Sequence, residues 1–158
     1  MQPNMKNHML SQEEIDSVLH RAHVGHLGTL HPDGYPYVTP IHYLYMDGKI
    51  YIHGTDVGQK VENLLRDPRV GFAVYDGGAY QIAAQPKTAC NVNTEYESVI
   101  ITGKARLIED EALKYRVLQE VVRKYVPSME QYPMPEASVA ATGVIEMEIE
   151  TITGKYYR

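Results

Sequence analysis

The sequence contains one cysteine, one phenylalanine, no tryptophan and no long apolar run. The single cysteine, Cys90, excludes an internal disulfide and agrees with a reducing compartment. No apolar stretch approaches the roughly 20 residues that a membrane-spanning helix requires, and the start MQPNMKNHML lacks the organisation of a signal peptide. These absences predict a cytoplasmic protein that has no membrane partner.

Basic residues are also scarce relative to acidic ones. The net charge is -5, and no run of lysines or arginines occurs, so the chain lacks the electrostatic footprint of a nucleic-acid-binding protein. With 158 residues, of which 44% are hydrophobic, the chain is long enough to build one core. We therefore predict a single domain over residues 1–158, in which residues 1–10 are flexible.

The candidate sites for metal and hydrolytic chemistry are weak. His20, His23 and His26 are spaced three apart, but only the first two would share a helix face, and no acidic or cysteine ligand adjoins them. We predict no metal site there. Nothing near Cys90 in sequence would lower its thiol pKa, and no G-x-S-x-G motif occurs. Neither a reactive thiol nor a hydrolase is predicted.

The first third of the chain predicts a helix followed by hairpins. An S-x-x-E capping box at Ser11 begins a helix over residues 11–22. A strand over residues 24–30 and a turn at residues 31–34 lead to a returning strand over residues 35–46. Pro36 and Pro40 cannot donate to a ladder, so this strand should lie at an edge, a bulge or an opening of the sheet. Asp47 and Gly48 predict the next hairpin.

The remaining chain predicts two long strands and a second helix. Residues 76–95 show some strand character around residues 80–83 but are otherwise small and polar, and they predict a long loop. YESVIITGKARLI over residues 96–108 predicts a central strand with a bulge or bend at Gly103. A helix is expected over residues 110–125, then irregular chain to residue 142, and a last strand over residues 143–152. The acidic residues Glu146, Glu148 and Glu150 are expected on the wet face of that strand. This order favours a mostly antiparallel barrel with flanking helices.

The stretch over residues 49–75 is the part of the chain around which the other predicted elements are arranged. It predicts a strand ending at Gly54, a polar loop, a helix with an apolar face formed by Val57, Val61, Leu64 and Leu65, and another strand. The helix start offers small residues, unpaired backbone N–H groups and Lys60, which suits a phosphate. A structural alternative is a capping box made by Asp56 and Gln59, with Gly58 serving only close packing.

The ordered motifs PYVTPI, IHGTDVGQK, NLLRDPRVGFAV, YESVIITGKARLI and IETITGK resemble the FMN-binding split-barrel proteins related to pyridoxamine 5'-phosphate oxidase, and among them the nitroimidazole-resistance proteins. The resemblance runs from about Ser11 to Lys155. It implies a six-stranded antiparallel split β-barrel with flanking helices, which works as a homodimer with FMN at the subunit interface. The sequence departs from the true oxidases, because it has no Trp and ends at GKYYR, where they carry pyridoxal-phosphate-binding Arg and Trp residues.

The resemblance also implies where FMN would bind. The phosphate would be held at the helix start, the ring edge would face the backbone of the proline-containing strand, and the start of the YESVIITG strand, with the loop at Cys90, would approach the flavin of the other subunit. The implied cofactor-binding residues are Val38, Thr39, Pro40, Ile41, His53, Gly54, Thr55, Gly58, Gln59, Lys60, Tyr96 and Ser98. His53 is also the candidate catalytic residue.

The implied function is an oxidoreductase that passes electrons to a small flat substrate such as a nitro compound. A scaffold that hosts many substrates leaves other functions open. These are a flavin carrier or sensor without turnover, a haem-binding split barrel with His53 or His42 as the iron ligand, and a protein that binds deazaflavin F420. Thirteen tyrosines agree with flat ligands and equally with subunit interfaces.

Overall fold

The computed structural model describes residues 7–158, and in them it shows a seven-stranded antiparallel sheet with four α-helices. In chain order the elements are α1 (Gln12–Arg21), β1 (Val24–Leu30), β2 (Pro36–His42), β3 (Leu44–Met46), β4 (Lys49–Gly54), α2 (Gln59–Arg66), β5 (Arg69–Ile82), β6 (Val92–Leu107), α3 (Glu111–Tyr125), a 3₁₀ turn (Pro127–Met129), α4 (Glu136–Ala141) and β7 (Gly143–Tyr157). The strands lie in the order β2-β1-β5-β6-β7-β4-β3. The sheet curls so that β2 and β4 approach each other, which leaves the barrel split between them.

The predicted split barrel with flanking helices is confirmed, but it has seven strands instead of six. The expected strand over residues 35–46 breaks at Tyr43 into β2 and β3. The Tyr43 side chain is fully buried with its ring 5.0 Å from that of Phe72, and its backbone N–H donates to the Tyr125 hydroxyl at 2.9 Å. Because Tyr43 bonds to a helix side chain, it leaves the ladder and turns the corner.

Local signals place the first helix and the hairpins as predicted. Ser11 caps α1, and its capping box with Glu14 is complete. Asp47 and Gly48 join β3 to β4, and both have positive φ, as a tight two-residue hairpin turn requires. The register between β6 and β7 shifts at Gly103, where an added Cβ would lie 1.9 Å from the Glu148 carbonyl oxygen. The predicted bulge at Gly103 is therefore confirmed.

The inward-facing side chains of the strands form the main core, which α1 and α2 cover on the outside. Its fully buried members include Leu27, Ile50, Phe72, Val99 and Met147. A smaller cluster lies beneath α3 and α4, where Tyr51 and Val144 of the sheet contact Val117, Val121 and Val139. The two clusters occupy opposite faces of β4, so this short strand is buried on both sides.

Two segments differ from the prediction. Residues 76–95 are mostly a hairpin, since β5 continues to Ile82 and β6 begins at Val92, leaving a loop only at residues 83–91. The expected irregular chain over residues 127–142 contains a 3₁₀ turn and α4, whose Val139 is buried against α3. Short, polar or tyrosine-rich elements of this kind lack the apolar periodicity that makes a strand or helix visible in sequence.

The start of the described chain is hydrogen-bonded to β7. Residues 1–6 lie outside the described residues. Tyr156 donates to the His8 carbonyl at 2.9 Å, Met9 bridges to Lys155, and Leu10 donates to the Gly154 carbonyl at 3.0 Å. Leu10 is buried in the main core. Residues 8–10 therefore lie alongside the C-terminal part of β7.

The acidic residues of β7 do not all face water. Glu148 and Glu150 have exposed side chains, but Glu146 is only 2% exposed. It accepts hydrogen bonds from Tyr51 and from Arg106, and Lys49 lies 3.2 Å away. Burial alone would raise the pKa of the Glu146 carboxyl, but these three donors outweigh burial and hold the pKa below its usual value.

We expect Glu146→Gln to destabilise the fold by about 2 kcal/mol at neutral pH, because charge-assisted hydrogen bonds become neutral ones in a buried site. The folded-state pKa is depressed, so this contribution is present above the unfolded-state pKa and is lost as pH falls through the folded-state value. Urea unfolding at pH 7 and below about pH 4 measures it. Glu148→Gln, on the exposed side, is the matched control. A difference between wild type and Glu146→Gln that stays constant on acidification would contradict this account.

Candidate functional site

A cleft lies where the barrel is split. Its walls come from β1, β2 and β4, and it encloses about 450 Å³ lined by Val24, Pro40, Ile41, His42 and His53. This volume is within the range of pockets that hold small ligands and cofactors. His53 is followed by Gly54, the last residue of β4, and the chain then runs through residues 55–58 to the start of α2. The site therefore combines a strand edge, a strand end and a helix start.

One wall of the cleft is the free edge of β2. Within the described chain β2 pairs with β1 alone, with Pro36 opposite Leu30 and Pro40 opposite His26. The prediction that the prolines mark a sheet edge is confirmed. Thr39 lies between them in sequence, and its hydroxyl is buried without a hydrogen-bond partner among residues 7–158. A buried polar atom without a partner is unusual and is consistent with a missing ligand.

The other wall is the end of β4. His53 pairs with Val144 of β7 and is partly buried, and its Nδ1 has no hydrogen-bond partner in the part of the chain described. Burial lowers the pKa of His53, and the nearby His42 lowers it further. His42 stacks on Tyr125 with ring centroids 4.7 Å apart. The cleft thus holds a neutral imidazole whose buried nitrogen is free to accept or donate.

The start of α2 has no side-chain cap among the residues that the structure describes, and it follows the strand end that carries His53. Gly58 is the N-cap residue, and among residues 7–158 no side chain makes a capping hydrogen bond to this helix. Asp56 does not cap it, so the predicted alternative of an Asp56 and Gln59 capping box is wrong. The Gly58 carbonyl accepts from Val61 and Glu62, at 2.9 and 3.0 Å. The backbone N–H groups of Gln59 and Lys60, in the first turn, have no intrahelical acceptor.

The lysine and the strand end are adjacent. A Cβ built on Gly54 would lie 3.8 Å from Lys60 Nζ, so the ammonium group sits directly over the end of β4. The loop between them is pressed against β7, since a Cβ on Gly143 would lie 2.7 Å from the Asp56 backbone nitrogen. The Thr55 hydroxyl donates to the Val57 carbonyl at 2.9 Å and fixes the turn. The segment between the end of β4 and the first turn of α2 therefore carries helix N–H groups without intrahelical acceptors and an ammonium group, and both favour an anion.

The structure brings together most of the predicted site residues but not all. Pro40, Ile41 and His53 line the cleft, Val38 and Thr39 lie on the same strand as Pro40, and Gly54, Thr55, Gly58, Gln59 and Lys60 follow His53 along the chain to the start of α2. Tyr96 and Ser98 lie on β6, separated from β2 by β1 and β5, and from β4 by β7. The Ser98 hydroxyl is buried and unpartnered within the described residues. The loop with the exposed Cys90 lies further out on the same hairpin.

The apolar face predicted for α2 is only partly correct. Val61 and Leu64 are buried, but Val57 precedes the helix and is 68% exposed, and Leu65 is 76% exposed. The buried position is instead taken by Asn63, which is 0% exposed. A polar residue in the middle of an apolar helix face was the signal that sequence reasoning missed. Asn63 lies four residues after Gln59, where their side chains can meet.

The sheet presents an uncharged surface on the side opposite the core. Two cross-strand rows form it, and we call it the outer face: Val38, Gly28, Gly71, Thr102 and Thr151 in one row, and Pro40, His26, Ala73, Ile100 and Thr153 in the other. Neither row contains Lys, Arg, Asp or Glu. Val38 is 58% exposed and Ile100 is 50% exposed. Small and apolar side chains over five strands make an uncharged surface of the kind that a partner can cover.

Two other features bear on function. Within residues 7–158, no group of three His, Cys, Asp or Glu side chains is placed to hold a metal ion. The helices of that region are all too short or too polar to cross a bilayer.

The seven-stranded split barrel with a cleft at its seam is the architecture of flavin-binding split-barrel proteins. The chain belongs to the pyridoxamine 5'-phosphate oxidase family, whose sequence model matches residues 11–156. The family resemblance seen in the sequence is thereby confirmed.

Solved structures with this fold are similar to the chain over most of its length. A candidate 5-nitroimidazole antibiotic resistance protein from Bacteroides thetaiotaomicron is 25% identical, with a TM-score of 0.79 over 94% of this chain and 86% of its own. The flavocytochrome Anf3 from Azotobacter vinelandii is 27% identical, with a TM-score of 0.80 over 94% and 68%. An FAD and haem binding protein from Mycobacterium smegmatis is 18% identical, with a TM-score of 0.81 over 94% and 72%, and so shares the fold. No curated protein matches the sequence significantly.

We expect Gly58→Ala to destabilise the protein by about 1 to 3 kcal/mol, because a φ of +105° with a ψ of 172° is a conformation that essentially only glycine adopts. Thermal or urea unfolding measures the loss. Val57→Ala is the control, since that neighbouring side chain is exposed and its truncation should change stability by less than about 0.5 kcal/mol. Equal stabilities of wild type and Gly58→Ala would show that the turn before α2 relaxes freely.

Proposed function

We propose that the protein is a flavoprotein that binds FMN in the cleft and at the start of α2. The observation that carries the proposal is the uncapped helix start, with the Gln59 and Lys60 backbone N–H groups beside the Lys60 ammonium group at the end of β4. A phosphate monoester carries close to two negative charges near neutral pH and accepts several hydrogen bonds, which this turn supplies. Gly58 and Thr55 shape the turn, and Gln59 adds a side-chain amide.

The flavin ring would lie toward the β2 wall. Backbone groups of Val38, Thr39, Pro40 and Ile41 on the free edge of β2 would face its polar edge, and the unpartnered Thr39 hydroxyl offers one further hydrogen bond. Hydrogen bonds at that edge tune how readily a flavin accepts electrons. His53 and Gly54 would line the floor between ring and phosphate. When bound, the flavin would supply the redox chemistry, and these residues would hold and orient it.

A homodimer completes the proposed site. Tyr96 and Ser98 are too far along the sheet to reach the cleft of their own subunit, but they adjoin the outer face. Pairing two outer faces would bury Val38 and Ile100 and would bring β6 of one subunit toward the flavin of the other. The unpartnered Ser98 hydroxyl is consistent with a ligand or partner there. Each site would then contain residues from both subunits.

The proposed reaction is the reduction of a small flat electron acceptor, such as a nitroimidazole. The flavocytochrome relative is a redox protein by name, and the Bacteroides relative is named for nitroimidazole resistance. His53 is the candidate proton donor or acceptor, because its imidazole is held neutral by burial and its Nδ1 has no other partner among the described residues. The function is an oxidoreductase if turnover occurs, and a flavin carrier or sensor if it does not.

A second candidate, haem binding, is favoured by the histidines of the cleft. A neutral imidazole with a buried, unpartnered nitrogen is the form that ligates iron, and His53 has that form. His42 lines the same cavity. Two of the structural relatives are a flavocytochrome and an FAD and haem binding protein. Haem could replace the flavin or accompany it, and the two give different absorbance spectra.

An absorbance spectrum of the purified protein, with mass analysis of the released cofactor, tests the proposal. We expect a flavin spectrum and the mass of FMN. The mass of FAD or F420 would identify that molecule as the cofactor in place of FMN. A Soret band that is lost in His53→Ala would favour haem. Protein that stays colourless and does not bind added FMN would end the proposal. Turnover with reduced nicotinamide and nitroaromatic acceptors then separates a reductase from a carrier.

We expect Lys60→Ala to weaken FMN binding by about 1 to 3 kcal/mol, because a charge-assisted contact to the phosphate is lost. Titration of the flavin-free protein with FMN, followed by flavin fluorescence, measures the dissociation constant. Lys87→Ala, on the exposed loop of the hairpin, removes the same charge away from the cleft and is the control. If both variants bind FMN as tightly as wild type, Lys60 does not contact the phosphate.

We expect Ile100→Glu to produce a monomer, because it places a carboxylate at the centre of the uncharged outer face, where pairing would desolvate it. Ile100 is half-exposed in the single chain, so the substitution should leave the fold intact. Light scattering after size-exclusion chromatography measures the mass, and circular dichroism checks folding. Leu65→Glu, at an exposed position on α2, is the control. A dimer that persists in Ile100→Glu would place the subunit interface elsewhere.

A further inference from the structure

A buried chain of hydrogen bonds connects the start of α2 to β2. Gln59 Nε2 donates to Asn63 Oδ1 at 2.9 Å, Asn63 Nδ2 donates to Thr29 Oγ1 at 2.9 Å, and Thr29 Oγ1 lies 3.4 Å from the Tyr37 carbonyl oxygen. Asn63 is 0% exposed and Thr29 is 2% exposed. The chain therefore runs through the protein interior from the proposed phosphate site to the strand beside the proposed ring site.

The last acceptor fixes the direction of every bond in the chain. A carbonyl oxygen can only accept, so the Thr29 hydroxyl must donate to Tyr37 and accept from Asn63. Asn63 then presents Nδ2 to Thr29 and Oδ1 to Gln59, which must present its own Nε2. The orientation of the Gln59 amide is thus set by a backbone group on another element. Its second N–H remains available to a ligand at the helix start.

The cost of burying Asn63 supports a specific role. An apolar residue at this position would contribute to the core beside Val61 and Leu64, whereas a buried amide contributes only if its hydrogen bonds are satisfied. Both partners of Asn63 lie on elements that border the cleft. A network of this kind fixes one geometry of the parts that it joins, and here those parts are α2, β1 and β2.

We infer that Asn63 is a positioning residue that holds the Gln59 side chain and the first turn of α2 in place for a phosphate monoester, with Thr29 as its support. The inference rests on the proposed function, because it assigns a role toward the phosphate of the same ligand. Asn63 itself is too deeply buried to contact that ligand, and it acts through Gln59.

The test compares FMN with riboflavin, which has the same ring system and lacks the phosphate. In Asn63→Leu the shape is nearly kept and Thr29 can still donate to Tyr37, so the main change is the loss of the Gln59 acceptor. We expect the affinity of the flavin-free, full-length protein for FMN to fall about tenfold, and that for riboflavin to change less than about twofold. Thr29→Val should shift the ratio of FMN affinity to riboflavin affinity in the same direction, since it removes the hydroxyl that accepts a hydrogen bond from Asn63.

A double-mutant cycle with Gln59→Ala tests whether Asn63 acts through Gln59. In the Gln59→Ala background, Asn63→Leu should have almost no further effect on FMN affinity. Val117→Ala, in the separate cluster beneath α3, is the stability control, because it creates a cavity and should leave the FMN to riboflavin ratio unchanged.

The outcomes separate the inference from the proposed function. Suppose that wild type binds FMN. If Asn63→Leu lowers the affinities for FMN and riboflavin equally, or lowers FMN affinity as much in the Gln59→Ala background as in wild type, Asn63 has only a structural role. The inference is then overturned, while FMN binding stands. If wild type binds neither FMN nor riboflavin, the inference and the proposed function are both overturned. If Asn63→Leu does not fold, equal effects of Thr29→Val on both flavins overturn the inference, and a selective loss of FMN affinity supports it.

Discussion

The cleft exists because one strand cannot complete a ladder. Pro36 and Pro40 lack the N–H groups that a neighbour on the free side of β2 would need, so the sheet cannot close between β2 and β4. Without these prolines, backbone hydrogen bonds between β2 and β4 could close the barrel. The unpaired edge instead borders a cavity through Pro40, Ile41 and His42, which is where a ligand could replace the missing strand.

The corner at Tyr43 supports that opening from behind. Its buried ring contacts Phe72, and its hydroxyl donates to the Leu19 carbonyl at 2.9 Å. The Tyr125 hydroxyl takes the backbone bond that a strand neighbour would have made, and Lys124 lies 4.2 Å above the Tyr43 ring. Burial with no carboxylate partner lowers the pKa of Lys124 to about 8. Helices α1 and α3 are thus attached to the point where β2 ends, and the edge is held open by packing without a second strand.

The sequence was informative wherever a residue type has one dominant backbone consequence. The prolines of β2, the Asp47 and Gly48 turn, the Ser11 capping box and the bulge at Gly103 are of this kind, and each lies where it was predicted. Burial of polar residues was not predictable, because it depends on partners distant in sequence. Glu146 is satisfied by Lys49, Tyr51 and Arg106, and Asn63 by Thr29, which lies 34 residues earlier. The alternation of Glu146 with apolar neighbours shows that it lies on the opposite face of β7 from those neighbours. It does not reveal that α3 covers this face.

The candidate site has two parts. One is determined by the backbone of the fold, and the other consists of residues that can differ between proteins with the same barrel. The uncapped turn at α2 is built from Gly58, the close approach at Gly143 and a buried hydrogen-bond chain, and under the proposed function it would hold a phosphate irrespective of what the phosphate carries. The histidines, the edge of β2 and the hairpin over residues 76–95 surround the cleft or the outer face without contributing to that turn. Relatives that share the barrel while differing in named cofactors are understandable on this basis. Under the proposed function, a fixed anion site would keep one end of the ligand in place, while the residues around the other end would decide which ring is held and which reaction it performs.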